Sequence, residues 1–252
     1  MSDFISPDWA APHNIKSLVT TRQGGCSHAP YDSFNLASHV NDDLVAVNEN
    51  RKILAQQLPS EPVWLNQVHS NIVVDAATID ALADADGSYT TQTNVVSVVL
   101  TADCLPVLVC TQQGDAVAAL HAGWRGLLNG ILEQGVLKLL KASQREAKDC
   151  LVWFGPGIGF DNFEVGQEIR EAFLQKSADK KSIEQCFLKV PGKQDKYMAD
   201  MVQLAKYRLS QIGVENFSGG DFCSYKDKER FYSYRRDGIT GRMASLIWIE
   251  HK

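Results

Sequence analysis

Between residues 95 and 110 the chain is almost continuously apolar, with Asp103 its one charged residue, and no other segment constrains the fold as much. The run is too short to span a bilayer, which takes about 20 apolar residues. It reads instead as two strands, 95–100 and 105–110. The turn Gln112-Gln113-Gly114-Asp115 leads into a third strand, 116–120.

Weaker signals surround this centre. A strand over 15–21 runs into the turn Gln23-Gly24-Gly25, and Asp42 and Asp43 can cap a helix over 44–58 with Leu44, Val47, Leu54 and Leu58 as its apolar positions. Short strands are expected at 63–68 and 72–76, and the segment 83–87 (ADADG) reads as a turn. A long helix is expected over 127–140, then a buried strand at 151–154 ended by Gly155-Pro156-Gly157. Amphipathic helices are expected near 165–175 and 197–212, with a closing strand over 242–250. Strands and helices mix without a regular βαβ alternation, which favours an α+β fold with mixed β-sheets. No repeat, low-complexity tract or linker divides residues 1–252, so a single domain is expected.

A net charge of −5, from 25 basic and 30 acidic residues, gives no sign of a nucleic-acid or membrane partner. The first 14 residues have neither a basic start nor an apolar run, so no signal peptide is expected and a cytoplasmic location is the default. The six cysteines form no CxxC pair and no disulfide framework.

Three side chains share one kind of position. His69 follows the strand 63–68, Cys104 follows 95–100, and His121 follows 116–120. Gaps of 35 and 17 residues exclude a local zinc-finger hairpin but suit ligands gathered from neighbouring strand ends. Two imidazoles and a thiolate suit zinc or copper, and three protein ligands leave a position for water or substrate. Taken singly, each of the three fits ordinary packing as well. Arg125, in His121-Ala122-Gly123-Trp124-Arg125-Gly126, can bind an anion near a helix start, or be a surface arginine on a β-to-α turn. Asp103 can hold an imidazole in its ligating tautomer, or be a turn residue.

Asn66-Gln67-Val68-His69, Ala102-Asp103-Cys104-Leu105-Pro106 and the His121–Gly126 segment resemble the multicopper polyphenol oxidase (laccase-domain) family. That family is also described as purine nucleoside phosphorylases and as the peptidoglycan-editing-factor family. The likeness extends to Thr20–Gly25, Gly155-Pro156, Phe163-Glu164-Val165-Gly166, Tyr234–Gly238 and Thr240-Gly241-Arg242, so it covers nearly the whole chain. Ser70 departs from the pattern, since family members often carry glycine there. The resemblance implies a four-layer α/β/β/α fold related to the toxin cysteine hydrolases of the cytotoxic necrotizing factor type. It implies metal binding by His69, Cys104 and His121, usually zinc, with copper in some members. It further implies phosphorolysis of adenosine, inosine and methylthioadenosine, and deamination of adenosine.

A four-copper oxidase needs many histidines, and this chain has six, two of them near the termini (His13 and His251). A purine nucleoside enzyme fits better. Deamination needs a carboxylic group to shuttle a proton, for which Glu164 is the candidate, though a glutamate also suits a helix N-terminus. Phosphorolysis needs cations for phosphate, and Arg22, Arg125, Arg235, Arg236 and Arg242 are available. The basic residues between 226 and 236 also fit a solvated face. The expected partners are therefore small molecules, purine nucleosides and phosphate, with the chain a monomer or homodimer. Two alternatives remain: a Cys104–His121 hydrolase acting on a peptidoglycan precursor, with Cys104 as nucleophile and Asp103 or His69 assisting, and a non-catalytic metal-binding protein.

Overall fold

The hairpin expected around Gln112–Asp115 forms the middle of the main sheet in the computed structural model, which describes residues 4–251. In chain order the elements are β1 (Ile15–Val19), α1 (Leu44–Ala55), β2 (Leu65–Asn66), β3 (Val73–Asp75), β4 (Ala83–Asp84) and β5 (Gly87–Thr90). Then come β6 (Ser97–Thr101), β7 (Leu105–Thr111), β8 (Val117–Ala122), α2 (Trp124–Asn129), α3 (Ile131–Ser143) and β9 (Cys150–Phe154). The rest of the chain supplies β10 (Glu164–Gly166), α4 (Gln167–Lys176), α5 (Lys180–Gln185), β11 (Phe187–Lys189) and β12 (Lys196–Ala199). It closes with α6 (Met201–Ser210), β13 (Asn216–Gly219), α7 (Tyr234–Asp237) and β14 (Met243–Ile249).

The fold is α+β with mixed sheets. Six strands in the order β13-β9-β7-β8-β5-β3 make the main sheet, antiparallel in its middle and parallel at both margins. An antiparallel sheet, β1-β14-β6, packs on one of its faces. Strand periodicity sorts the side chains. Val117 and Ala119 of β8 point between the two sheets, with Leu108, Val99 and Ile247, whereas Ala118 and Leu120 point the other way, onto Leu132, Val136 and Leu139 of α3. The far face of the smaller sheet, with Val98, Leu246 and Trp248, is covered by Leu54 of α1 and by Phe34 and Leu36. Being covered on both faces explains why β7 and β8 read as continuous apolar runs. Gly135 lets α3 approach closely: a Cβ there would lie 2.4 Å from Leu120 Cδ2.

Several expectations need correction. The helix 127–140 is two helices, α2 and α3, because Gly130 takes φ +91° between them. The turn at 83–87 is instead β4 and the start of β5, with Asp86 between them. Val165 and Gly166 lie in β10, so that helix starts at Gln167. Likewise 197–199 belong to β12, and Asp200 caps α6 by accepting from Gln203 N at 2.9 Å. β5, β11, β13 and α5 were not anticipated. Among the described residues no helix is long and apolar enough to cross a membrane.

Candidate metal centre

His121 stands near the end of β8, on the face between the sheets, and is 3% exposed. Its Nδ1 lies 2.7 Å from Oδ1 of Asp86, a carboxylate with no exposed side-chain surface. The same carboxylate accepts from three successive backbone amides, Val68 N at 3.3 Å, His69 N at 3.0 Å and Ser70 N at 2.5 Å. Consecutive amides aimed at one point form an anion-binding concavity. This grip holds His69 at φ +60°, a left-handed conformation that costs a non-glycine residue free energy unless its surroundings impose it. Ser70 also earns its place: its hydroxyl donates to Asp86 Oδ2 at 2.8 Å and accepts from Ile72 N at 3.1 Å. One buried carboxylate therefore positions both imidazoles.

Cys104 sits in the turn between β6 and β7. Its Sγ is 3.7 Å from His69 Nε2, and the two imidazole rings stand 4.8 Å apart at 71°. Gly123 makes this gathering possible, since a Cβ there would lie 2.7 Å from His69 Cδ2 and 3.1 Å from Cys104 Sγ. Burial pushes the Cys104 thiol up, but the neighbouring imidazoles, His121 above all, more than offset it and bring it down to about 6. Burial pulls His121 down, while Cys104 and Asp86 raise it to about 9. Asp86 is pushed up by burial and brought below the usual carboxylate range by the bonds from His121 and Ser70. Cys104 is thus readily available as a thiolate.

One donor atom from each of His69, Cys104 and His121 lies within 4.8 Å of the other two. Tetrahedral zinc, with Zn–S near 2.3 Å and Zn–N near 2.1 Å, needs an S···N separation of roughly 3.6 Å. The observed 3.7 Å between Cys104 and His69 fits, and so does the donor set. An Nδ1–H donated to Asp86 leaves His121 Nε2 free to ligate, the carboxylate–histidine arrangement common at metal sites. No other such group of three occurs among the described residues. The trio opens into a cavity of about 320 Å³, also lined by His39, Gln67, Tyr234 and Arg242.

A family model described as multi-copper polyphenol oxidoreductase laccase matches residues 16–250. The chain belongs to this laccase family. It is 46% identical over 252 residues to a purine nucleoside phosphorylase of Pseudomonas aeruginosa, covering 99% of this chain and 100% of that one. It is 47% identical over 252 residues to the purine nucleoside phosphorylase YfiH of Escherichia coli, with the same coverage. A crystal structure of a Neisseria meningitidis protein superimposes with a TM-score of 0.92 at 43% identity, covering 98% of this chain and 99% of that one.

Of the arginines in the laccase-family motif segments, Arg242 alone lines the metal-side cavity. Its Nη1 caps the carbonyls of Thr240 and Gly241, both at 2.9 Å. Arg22 donates to the carbonyls of Asp32 and Lys228, and Arg236 to those of Ser224, Tyr225 and Phe231. Both line a separate cleft of about 430 Å³ that contains no residue of the trio. Arg235 donates to the Glu164 carbonyl at 3.0 Å, and exposed Arg125 stacks 4.3 Å from the Trp124 ring. Glu164 is paired with Lys193 at 2.6 Å and does not line the cavity. Asp103 does not hold an imidazole: its carboxylate accepts from Ser224 Oγ and Arg235 N, each at 2.6 Å. Asp86 has the role expected of Asp103. It was missed because an aspartate in Ala-Asp-Ala-Asp-Gly looks like any turn residue. His39 was missed too, with no local signal to mark it, and Tyr234, although it opens the Tyr234–Gly238 segment, was given no role.

Proposed function

We propose that this chain is a zinc-dependent purine nucleoside phosphorylase, acting on adenosine, inosine and methylthioadenosine, with adenosine deamination as a second activity. The observation that carries the reading is the His69–Cys104–His121 cluster opening into a nucleoside-sized cavity that also presents Arg242. The names of the Pseudomonas and Escherichia relatives support it. The reading treats residues 1–252 as one cytoplasmic domain, monomeric or homodimeric. It also takes the order of packed faces, helix, small sheet, main sheet and helix, as kinship with the cytotoxic-necrotizing-factor-type hydrolase fold.

A zinc ion held by the three side chains would supply Lewis-acid charge to polarise an oxygen beside the ribose. The protein's own groups do the rest. In phosphorolysis a phosphate oxygen bonds to C1′ of the ribose while the bond from C1′ to the base breaks, its electron pair leaving with the base. Arg242 is the cation on the cavity wall and holds the phosphate through charge-assisted hydrogen bonds. Partial desolvation, then the nearby Arg242 charge, lowers the His39 pKa, which favours the neutral, hydrogen-bonding imidazole at pH 7. Asp86 keeps both ligating imidazoles fixed throughout. The deaminase activity has less support, because Glu164, its expected proton carrier, is occupied by Lys193. Copper-dependent polyphenol oxidation has less still, with a single three-residue cluster among the described residues.

Arg242→Gln is expected to raise the KM for phosphate roughly 10–100-fold, the loss of one charged hydrogen-bonding partner. Zinc content should be unchanged, and Arg242→Lys should recover part of the loss. Steady-state base release at varied phosphate measures this. An unchanged phosphate KM in Arg242→Gln would remove Arg242 from the phosphate site.

A further inference from the structure

Tyr234 lines the cavity yet is 61% exposed, on a turn that is tied down from several sides. Arg235 N donates to Asp103 Oδ2 at 2.6 Å, and Arg236 N donates to Ser233 Oγ at 3.2 Å. The Arg236 guanidinium donates to three carbonyls at 2.8–2.9 Å, and that of Arg235 reaches the Glu164 carbonyl. Tyr232, two residues earlier, is the contrast: its ring is fully buried and its hydroxyl donates to the Tyr31 carbonyl at 2.6 Å. A large ring left in solvent on a rigid backbone gains little for folding, but it has already met the ordering cost of binding.

The rest of the cavity narrows what such a ring could meet. A volume of about 320 Å³ is at the small end of ligand sites, which run from about 300 to 1,000 Å³. Gln67, the cavity's one amide side chain, is held by the backbone rather than free to turn toward a ligand: its Nε2 donates to Leu100 O at 2.8 Å and its Oε1 accepts from Leu100 N at 2.7 Å. The Arg242 guanidinium stands 6.0 Å from the Tyr234 ring centroid, so aromatic face and cation are adjacent. Resting on the nucleoside reading above, we infer that Tyr234 is the stacking platform for the nucleobase and selects its ligand by a flat aromatic face. A face is common to adenine and hypoxanthine, whose edges differ, so both bases bind through it.

The probe is 2-aminopurine riboside, whose fluorescence is quenched on stacking. Zinc-loaded wild type is expected to bind and quench it. Tyr234→Ala should bind it roughly 10–100-fold more weakly and without quenching, while Tyr234→Phe restores both. In Tyr234→Ala the KM values for adenosine and inosine should rise by similar factors, with zinc content and phosphate KM unmoved. The exposed position makes the variant's folding secure, and its melting curve checks that. Unchanged quenching and KM in Tyr234→Ala would overturn the inference, as would a wild type that does not bind the probe. A wild type that quenches the probe but releases no base would leave the platform standing and overturn only the turnover reading.

Discussion

Replacing His121 with alanine is expected to empty the metal centre and take nucleoside turnover with it. Losing even an outer partner of a ligand commonly costs about 10–100-fold in metal affinity, and losing one of three ligands should cost more. The variant should also be less stable. It leaves Asp86 buried without its imidazole partner, and breaking a buried charged pair costs up to about 3–5 kcal/mol. The three amides that still face the carboxylate keep the loss toward the lower end. His69 provides the control. It is exposed and leaves no buried charge behind, so His69→Ala should lose metal and turnover at a smaller cost in melting temperature than His121→Ala. Metal content after gel filtration, alongside thermal melting, separates the two effects. Full metal occupancy in either variant would remove that residue from the site.

Asp86→Asn is expected to have the next largest effect, although it changes a single atom. The carboxylate faces only donors: Oδ1 accepts from His69 N and His121 Nδ1, and Oδ2 from Val68 N and from both the amide and hydroxyl of Ser70. An amide must turn its NH₂ toward one of these sets, donor against donor. The expected cost is about 3 kcal/mol or more in stability, with roughly 10–100-fold weaker zinc binding as the 68–70 backbone and the His121 tautomer lose their restraint. The pH dependence has a definite sign. Because the folded pKa of Asp86 is depressed, its contribution is present above the ordinary carboxylate value near 4 and is lost as pH falls through the lower folded value. The stability gap between metal-free wild type and Asp86→Asn should therefore be largest from about pH 5 to the ordinary histidine value near 6.5, and shrink below about pH 4. It should shrink again as pH rises toward about 9, where His121 loses the proton that Asp86 helps it hold. Denaturant unfolding across that range measures it, and a gap independent of pH would show that Asp86 acts through shape rather than charge.

The contrast between His121 and Asp86 shows what could be read from residue order alone. The juxtaposition of His69, Cys104 and His121 was legible in part. His121 lies in β8 and Cys104 in the turn joining β6 to β7, strands with strong apolar patterns. The strand expected over 63–68, by contrast, shrinks to Leu65–Asn66, and His69 lies in the loop after it. Asp86 was not legible, because its role depends on how the β4–β5 segment lies against the 68–70 amides, a contact 16 to 18 residues away in the chain. The arginines make the same point. Arg22, Arg235, Arg236 and Arg242 carry the same charge in similar motif settings. Packing alone decides that Arg236 caps three carbonyls while Arg242 reaches the cavity. In the fold, β7 and β8 announced themselves through long apolar runs. β5 is Gly-Ser-Tyr-Thr and β13 is Asn-Phe-Ser-Gly, short segments held by neighbouring strands rather than by an alternation of their own.

The measurement that bears most directly on the metal mechanism joins chelation to alkylation of Cys104. Metal-free protein is expected to release no base from adenosine and phosphate, and added zinc should restore turnover. In the metal-free state the Cys104 thiol, drawn down to about 6 by its imidazole neighbours, should react with iodoacetamide at a rate that rises through that pH, where an ordinary thiol would respond above 8. Bound zinc should hold the thiolate and suppress that reaction. Full turnover in demonstrably metal-free protein, abolished by stoichiometric alkylation of Cys104, would contradict the metal mechanism and establish the Cys104–His121 pair as a nucleophilic one.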